Sequence, residues 1–372
     1  MAGSTTVGAL RKAVRLIAAA TACAAIALVP APALAWDAHG HRIITLLALD
    51  GMRSRLANAP AGVALPEFLT QERVRTMVAD QSTVPDRWRS VRIDAHLHAR
   101  NPEHYINVEN LEPFGLTLET IPPLRYEYLR VLAVQKHVHP EAWETGETPP
   151  YDPARDPLKI YEWPGFAPHA IVEAYGQLVS SMRVYRQMEA ELAALDAGAG
   201  ERVRETADAR LEMARANVLY HMGVLSHFVG DIAQPLHNTR HFNGWVGSNP
   251  DGFTTDRGFH AYIDGGVLEH HALTYAGLKD GATTQRTVNA RDPWKGTLEH
   301  VRRAFEQVRP LYEMQKSGDL QKDPGKALIT ERLRDGADML GAMYAAAWES
   351  SVLTPRDAQD FRRFDGGGAS GT

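Results

Sequence analysis

Cysteine is nearly absent: 372 residues hold only Cys23. It falls within an N-terminal segment patterned as an export signal, with Arg11, Lys12 and Arg15 ahead of an uncharged, alanine-rich run from Leu16 to Val29. The run ends at Ala33-Leu34-Ala35, a small-x-small cleavage site. A long membrane span is missing too, because the run is shorter than the roughly 20 residues a span needs. Pro30-Ala31-Pro32 breaks it at once. Ala20-Thr21-Ala22 lacks the large aliphatic residue that precedes a lipid-attachment cysteine. Cleavage after Ala35 is therefore expected, with no stable membrane anchor and a secreted or periplasmic destination. The mature chain then has no thiol, which excludes disulfides and thiolate zinc sites. Basic excess is also lacking: 37 Lys plus Arg remain against 45 Asp plus Glu, a formal charge of −8. No global field attracts nucleic acid or anionic headgroups, so phosphate recognition must come from local cations, bound metals among them.

Strand-like alternation is scarce, and helical periodicity dominates. Apolar residues recur every three or four positions in 42–56, 123–135, 171–195, 204–229, 299–312 and 327–348. The fold class expected is all-α, a single mainly helical domain over 36–355 with residues 356–372 as a flexible tail. Between the helices lie stretches rich in Pro, Gly, Asn and Asp, at 80–122, 140–168 and 238–258. Loops this long are usually functional or disordered, and 109–168 reads as an insertion of lid or specificity-loop type.

The strongest local motif is His227-Phe-Val-Gly-Asp231-Ile-Ala-Gln-Pro-Leu-His237. His227 and Asp231 share one helical face, and Pro235 ends the helix so that His237 can fold back toward it. His260 and Asp264 repeat the four-residue spacing. One such pair is commonly a structural histidine or an ion pair; two pairs plus His237 within 38 residues argue for metal. Imidazole and carboxylate suit zinc, and without thiolates the sites are of the open, catalytic kind. His-Glu-x-x-His is absent, which removes the common metalloprotease reading.

Trp36-Asp-Ala-His-Gly-His41 follows the cleavage site directly. With this motif the mature chain resembles the zinc-dependent nuclease and phospholipase C family: the single-strand-specific nucleases of fungi and plants, and the bacterial zinc phospholipases C. The resemblance implies that Trp36 binds metal through its own amino nitrogen and carbonyl oxygen, with His41 beside it. Asp86, in an Asp-x-x-Arg motif with Arg89, and His104 match two further ligands. Asp86, His104, His227 and Asp231 would hold one zinc ion. Trp36, His41 and the far oxygen of Asp231 would hold a second, and His237, His260 and Asp264 a third.

The activity implied is hydrolysis of a phosphodiester. Zinc lowers the pKa of bound water from 15.7 to about 7, so hydroxide is the expected nucleophile and no side chain need attack. Asp86 and Asp231 position the metal, and Arg89 is expected to contact the phosphate bidentately. The step from Trp36 to His41, the Asp86-x-x-Arg89 motif, Asp264 and the interval from His237 to His260 resemble the nucleases. Tyr105 stands where those enzymes stack a base. Asn107, in place of a base-binding aspartate, and Gly258-Phe259-His260 lean toward the phospholipases. The expectation is an endonuclease on single-stranded DNA or RNA leaving 5′-phosphates, with phospholipid as the alternative substrate and a catalytically inactive zinc-binding protein as the second alternative. No protein partner is implied. The other histidines have no counterpart and read as surface or core residues, although His39 and His241 lie near enough in sequence to line the pocket.

Overall fold

A computed structural model describes residues 36–139, 163–280 and 284–364. Residues 1–35, which include Cys23 and the expected cleavage site, most of the 140–168 loop and the glycine-rich end lie outside the described residues. The chain from Ala35 onward forms one compact unit.

The main helices are α1 (Ala38–Leu56), α2 (Glu72–Gln81), α3 (Val84–Trp88), α4 (Asp94–Arg100), α5 (Arg125–Val138), α6 (Ala167–Ala193), α7 (Glu201–Ala233), α8 (Trp294–Phe305), α9 (Val308–Ser317), α10 (Asp323–Ser350) and α11 (Pro355–Phe364). Short helical turns fill much of the remainder. The protein is all-α, and among the described residues the only β pairing is an isolated antiparallel bridge between Ile106 and Gly165.

Helix α7 is the axis, flanked by α1, α2, α6 and α10. A helix enclosed on all sides is buried all round, and any polar side chain it carries there needs a partner. Every residue from Met222 to Ala233 is indeed buried. Leu225, Val229 and Ile232 pack with Ile44 and Leu47 of α1 and with Leu340 and Met343 of α10 in one core. Each such side chain contributes about 1.5–3 kcal/mol on burial, which stands in for the missing disulfides. The Tyr344 hydroxyl donates to the Met222 carbonyl at 2.7 Å. His300 of α8 donates from Nε2 to the Val229 carbonyl at 3.0 Å, and its other ring nitrogen faces Asp335, which Arg303 also contacts at 2.7 Å. The last turns of α7 are thus braced before any functional residue is considered.

Three expectations need correction. The stretch 299–312 is two helices broken at Glu306 and Gln307, because Pro310 has no N–H and its ring clashes with the carbonyl four residues back. The segment 80–122 contains α3, α4 and 3₁₀ turns at Asn101–His104, Val108–Phe114 and Leu118–Thr120, each too short to show a period. Residues 356–364, expected within a flexible tail, form α11. Thr354 and Asp357 cap that helix reciprocally, the Thr354 amide donating to Asp357 Oδ2 at 2.9 Å and the Asp357 amide to Thr354 Oγ1 at 3.2 Å.

Candidate metal centre

The centre is built on the last two turns of α7. His227 and Asp231 project from one face, and α1 lays His41 against it. Asp37 starts α1 by accepting from the His39 and Gly40 amides, both at 2.9 Å, so the first turn presents His41 inward. The His41 ring stacks on His227 at 4.3 Å. It lies over Gly230, where a β-carbon would come within 2.8 Å of His41 Nδ1. Only glycine admits the ring here. Thr45 and Ser226 fasten the crossing one turn on, their hydroxyls 2.6 Å apart.

Asp231 divides its two oxygens. Oδ1 lies 3.3 Å from His41 Nε2, while Oδ2 lies 2.9 Å from His104 Nδ1 and 3.3 Å from His227 Nε2. Asp86, in the middle of α3, stands 3.9 Å from His227 Nε2 and 3.6 Å from Arg89. A carboxylate reaching two clusters of nitrogens is the arrangement of a bridging ligand. A neighbouring group joins His237, His260 and Asp264, with His260 Nε2 and Asp264 Oδ2 3.4 Å apart. The chain between them departs from the α-helix expected from the spacing, because Tyr262–Gly266 form a π turn. Such turns are frequent at functional sites. Gly265 permits it: a β-carbon there would meet Asp37 Oδ2 at 2.7 Å. The Asp37 amide in turn donates to the Asp264 carbonyl at 3.0 Å, pinning the head of α1 to this group.

Hydrogen-bond accounting shows what these groups want. His227 Nδ1 lies 2.8 Å from the Ser82 carbonyl and His237 Nδ1 2.7 Å from the His104 carbonyl. A carbonyl only accepts, so both Nδ1 atoms carry hydrogen, and each Nε2 offers a lone pair whenever its ring is neutral, that of His227 lying 3.0 Å from His104 Nδ1. Gln234 donates to Asp264 Oδ1 at 2.8 Å, leaving Oδ2. The buried atoms without a hydrogen-bond partner include both ring nitrogens of His41 and of His260, His237 Nε2, and Asp86 Oδ1, Asp231 Oδ1 and Asp264 Oδ2. Buried polar atoms are nearly always paired. Lone pairs and carboxylates that converge unpaired fit a cation.

The separations fit as well. Zinc bonds of about 2.1 Å in a tetrahedron place ligand atoms about 3.4 Å apart, and the His41–Asp231, His227–Asp231 and His260–Asp264 contacts are 3.3, 3.3 and 3.4 Å. Ligand outer nitrogens bonded to carbonyls are the usual orienting contacts of metal sites. Burial opposes the charge on His227, but Asp231 and Asp86 outweigh it and hold the imidazole above its ordinary value. Asp231, which burial alone would raise, is held well below the usual carboxylate range, chiefly by His227 and His104. Asp264 is pushed well above that range by burial and by the nearby charges of Asp231 and Asp86. A divalent cation bound beside Asp264 would favour its ionised form.

Among the expected ligands, His41, Asp86 and His227 form one group, His104, His227 and Asp231 a second, and His237, His260 and Asp264 a third, the ligand atoms within each lying no more than 4.8 Å apart. The protein thus has buried His/Asp groups able to hold metal. Trp36 is fully buried at the head of α1, directly before the Asp37 that is tied to Asp264. Arg89 lies beside Asp86. Tyr105 is half-buried next to His104, and Asn107 is buried with its Oδ1 unpartnered. His39 donates to the Leu273 carbonyl at 2.8 Å, and His241 accepts from the Val246 amide at 3.1 Å under the Trp245 ring, so both are engaged structurally. Sequence reasoning missed Ser82 and Gln234. Gln234 lies inside the quoted motif, where its place before Pro235 was the available signal. The chain matches no family model and none of the curated proteins significantly.

Proposed function

We propose that this protein is an exported zinc-dependent phosphodiesterase that cleaves single-stranded nucleic acid to 5′-phosphate products, and that it belongs with the zinc-dependent nuclease and phospholipase C family. The observation that carries the reading is the convergence of eight His and Asp side chains, seven of them buried and most with an unpaired nitrogen or oxygen, in groups each small enough for one ion. Three zinc ions are proposed: one on Asp86, His104, His227 and Asp231, one on His41, Trp36 and Asp231 Oδ1, and one on His237, His260 and Asp264. Bound zinc supplies a nucleophile at neutral pH and neutralises phosphoryl charge.

The chain's own residues do the rest. Asp231 holds the first two positions in register through its two oxygens. Arg89, its side chain 20 % exposed beside Asp86, receives the phosphate. Tyr105 and Asn107, on the segment that follows His104, are the residues assigned to a base. Trp36 can lend its amine only after cleavage following Ala35 and loss of the ammonium proton, so the precursor is expected to be inactive.

Phospholipase C activity is the second reading, favoured by Val91 and Ile93, which are 45 % and 59 % exposed in the loop after Arg89 and suited to a lipid surface. The test is expression with the native signal, followed by zinc analysis and parallel assays on single-stranded DNA and phosphatidylcholine micelles. About three zinc ions with DNA cleavage supports the nuclease. Lipid turnover alone transfers the assignment to phospholipase C, and a processed, zinc-free, inactive protein sinks the catalytic reading.

A further inference from the structure

Residues 104–109 run between two other stretches of chain. On one side the Asn107 amide donates to the Pro164 carbonyl at 2.6 Å and the Ala167 amide to the Tyr105 carbonyl at 3.2 Å. On the other, the Ile106 amide donates to the His237 carbonyl at 2.9 Å, and His237 Nδ1 to the His104 carbonyl at 2.7 Å. His104 and His237 belong to different metal groups. The segment therefore sets a ligand of one group against a ligand of another.

Glu109 closes that contact from beyond the ligands. It stands in the 3₁₀ turn Val108–Phe114, which Leu111 and Phe114 anchor in the core. Its Oε1 accepts from the Thr239 hydroxyl at 2.5 Å and its Oε2 from the Arg240 amide at 3.0 Å. Thr239 is fully buried, and its Oγ1 accepts in turn from the His241 amide at 3.1 Å. Toward α7, Asn238 Nδ2 donates to the Ile232 and Gln234 carbonyls, both at 2.9 Å. The turn that carries His237 is thus fastened to α7 on one flank and to Glu109 on the other. A carboxylate suits the second flank, because it offers two acceptor oxygens and no hydrogen to two donors. Glutamine keeps the shape with one acceptor, and alanine keeps neither. His237 Nε2 has no hydrogen-bond partner, so its direction depends on its Nδ1 bond and on this backbone. A working site holds its ligands to within about 0.5 Å, and a turn that swings at Thr239 displaces the ring.

We propose that Glu109 is a positioning residue of the metal centre: by binding Thr239 and Arg240 it fixes the turn that carries His237, and with it the ion shared with His260 and Asp264. The proposal rests on the reading of that group as a metal site, and it holds whether the bond cleaved lies in nucleic acid or in lipid.

The test is release of zinc from the processed, zinc-loaded protein to a competing chelator, with His260→Asn marking the step that belongs to the group of His237. Glu109→Ala should loosen that ion about 10- to 100-fold and leave the others at wild-type affinity. Glu109→Gln should fall between, and with cobalt in place of zinc the visible spectrum of that site should shift in both variants. Leu178→Ala, a truncation in the core of α6, reports what lost stability alone does to metal affinity. Wild-type release from the His237 group in Glu109→Ala overturns the proposal, and so does equal loosening of every ion, the pattern of general destabilisation. If the alanine variant does not fold, the glutamine variant decides by the same two outcomes. Zinc binding that responds to Glu109 in a protein that cleaves no phosphodiester supports the proposal and refutes the hydrolase reading. A wild-type protein that takes up no zinc refutes both.

Discussion

Two glycines in long helices separate packing from function. Gly176, within α6, has nothing within 4 Å of where a β-carbon would stand, whereas a β-carbon on Gly230 of α7 would meet His41 Nδ1 at 2.8 Å and Cε1 at 3.2 Å. Alanine is favoured over glycine in a helix interior by about 1 kcal/mol, so Gly176→Ala should raise stability by about that amount. Gly230→Ala makes the same backbone gain but must push the imidazole away. Overpacking of this kind costs about 1–3 kcal/mol, so the net change should lie between neutral and a loss of about 2 kcal/mol. His41 cannot yield freely, being stacked on His227 at 4.3 Å with Nε2 3.3 Å from Asp231. Reaching ordinary contact needs a shift of about 0.6 Å, beyond the roughly 0.5 Å that a working site tolerates. A 1 Å misplacement costs about 10²-fold, and a loss of about 10-fold or more in phosphodiester turnover is expected. Urea unfolding gives the stability, chelator competition the affinity of the ion at His41, and initial rates the activity. A Gly230→Ala protein stabilised as much as Gly176→Ala, with metal affinity intact, would refute the claim that His41 is locked over Gly230.

Gln234→Ala removes the amide that orients Asp264 and also caps the Leu236 amide, so the ion held with His237 and His260 should bind about 10- to 100-fold more weakly in a chelator titration; unchanged affinity would mean that Asp264 needs no orientation. The turn after Val267–His270 carries the two hydrogen bonds of a Schellman cap with alanine, Ala272, at φ +49, where glycine is normal. Ala272→Gly should therefore raise the urea midpoint by the equivalent of about 1 kcal/mol, and a lowered midpoint would contradict the strain. Burial holds the His169 imidazole at about 4, against its bond to the Pro122 carbonyl. Its folded value lies below the unfolded 6.5, so the unfolded chain takes up the extra proton and stability falls as pH drops from 6.5 to 4. The contribution is up to about 3 kcal/mol; His169→Gln should flatten the stability curve in that window, and an equal slope would exclude the buried imidazole as its cause.

Much of the site is legible because it obeys local rules. His227 and Asp231 lie four apart on a helix, and that spacing alone puts them on one face. Pro235 forces the chain out of the helix whatever surrounds it. His260 and Asp264 share the spacing but not the geometry: their segment winds as a π turn because Gly265 lets Asp37, more than 200 residues away in sequence, press against it. The break in 299–312 was also readable, since Pro310 carries its own steric cost.

The sequence alone determines the all-helical class, the near absence of cysteine, the acidic balance of the chain and the identity of the clustered histidines and aspartates, because composition and helical period act over a few residues. Tertiary structure alone decides that the two oxygens of Asp231 face different nitrogens, that the Ser82 and His104 carbonyls fix the tautomers of His227 and His237, and that Gln234 orients Asp264. It alone brings Glu109 to the turn after His237. These depend on the crossing of α1, α2 and α7 and on the return of residues 104–107 against His237. Such contacts span 30 to 200 residues of chain, and no local pattern encodes the direction in which a buried lone pair points.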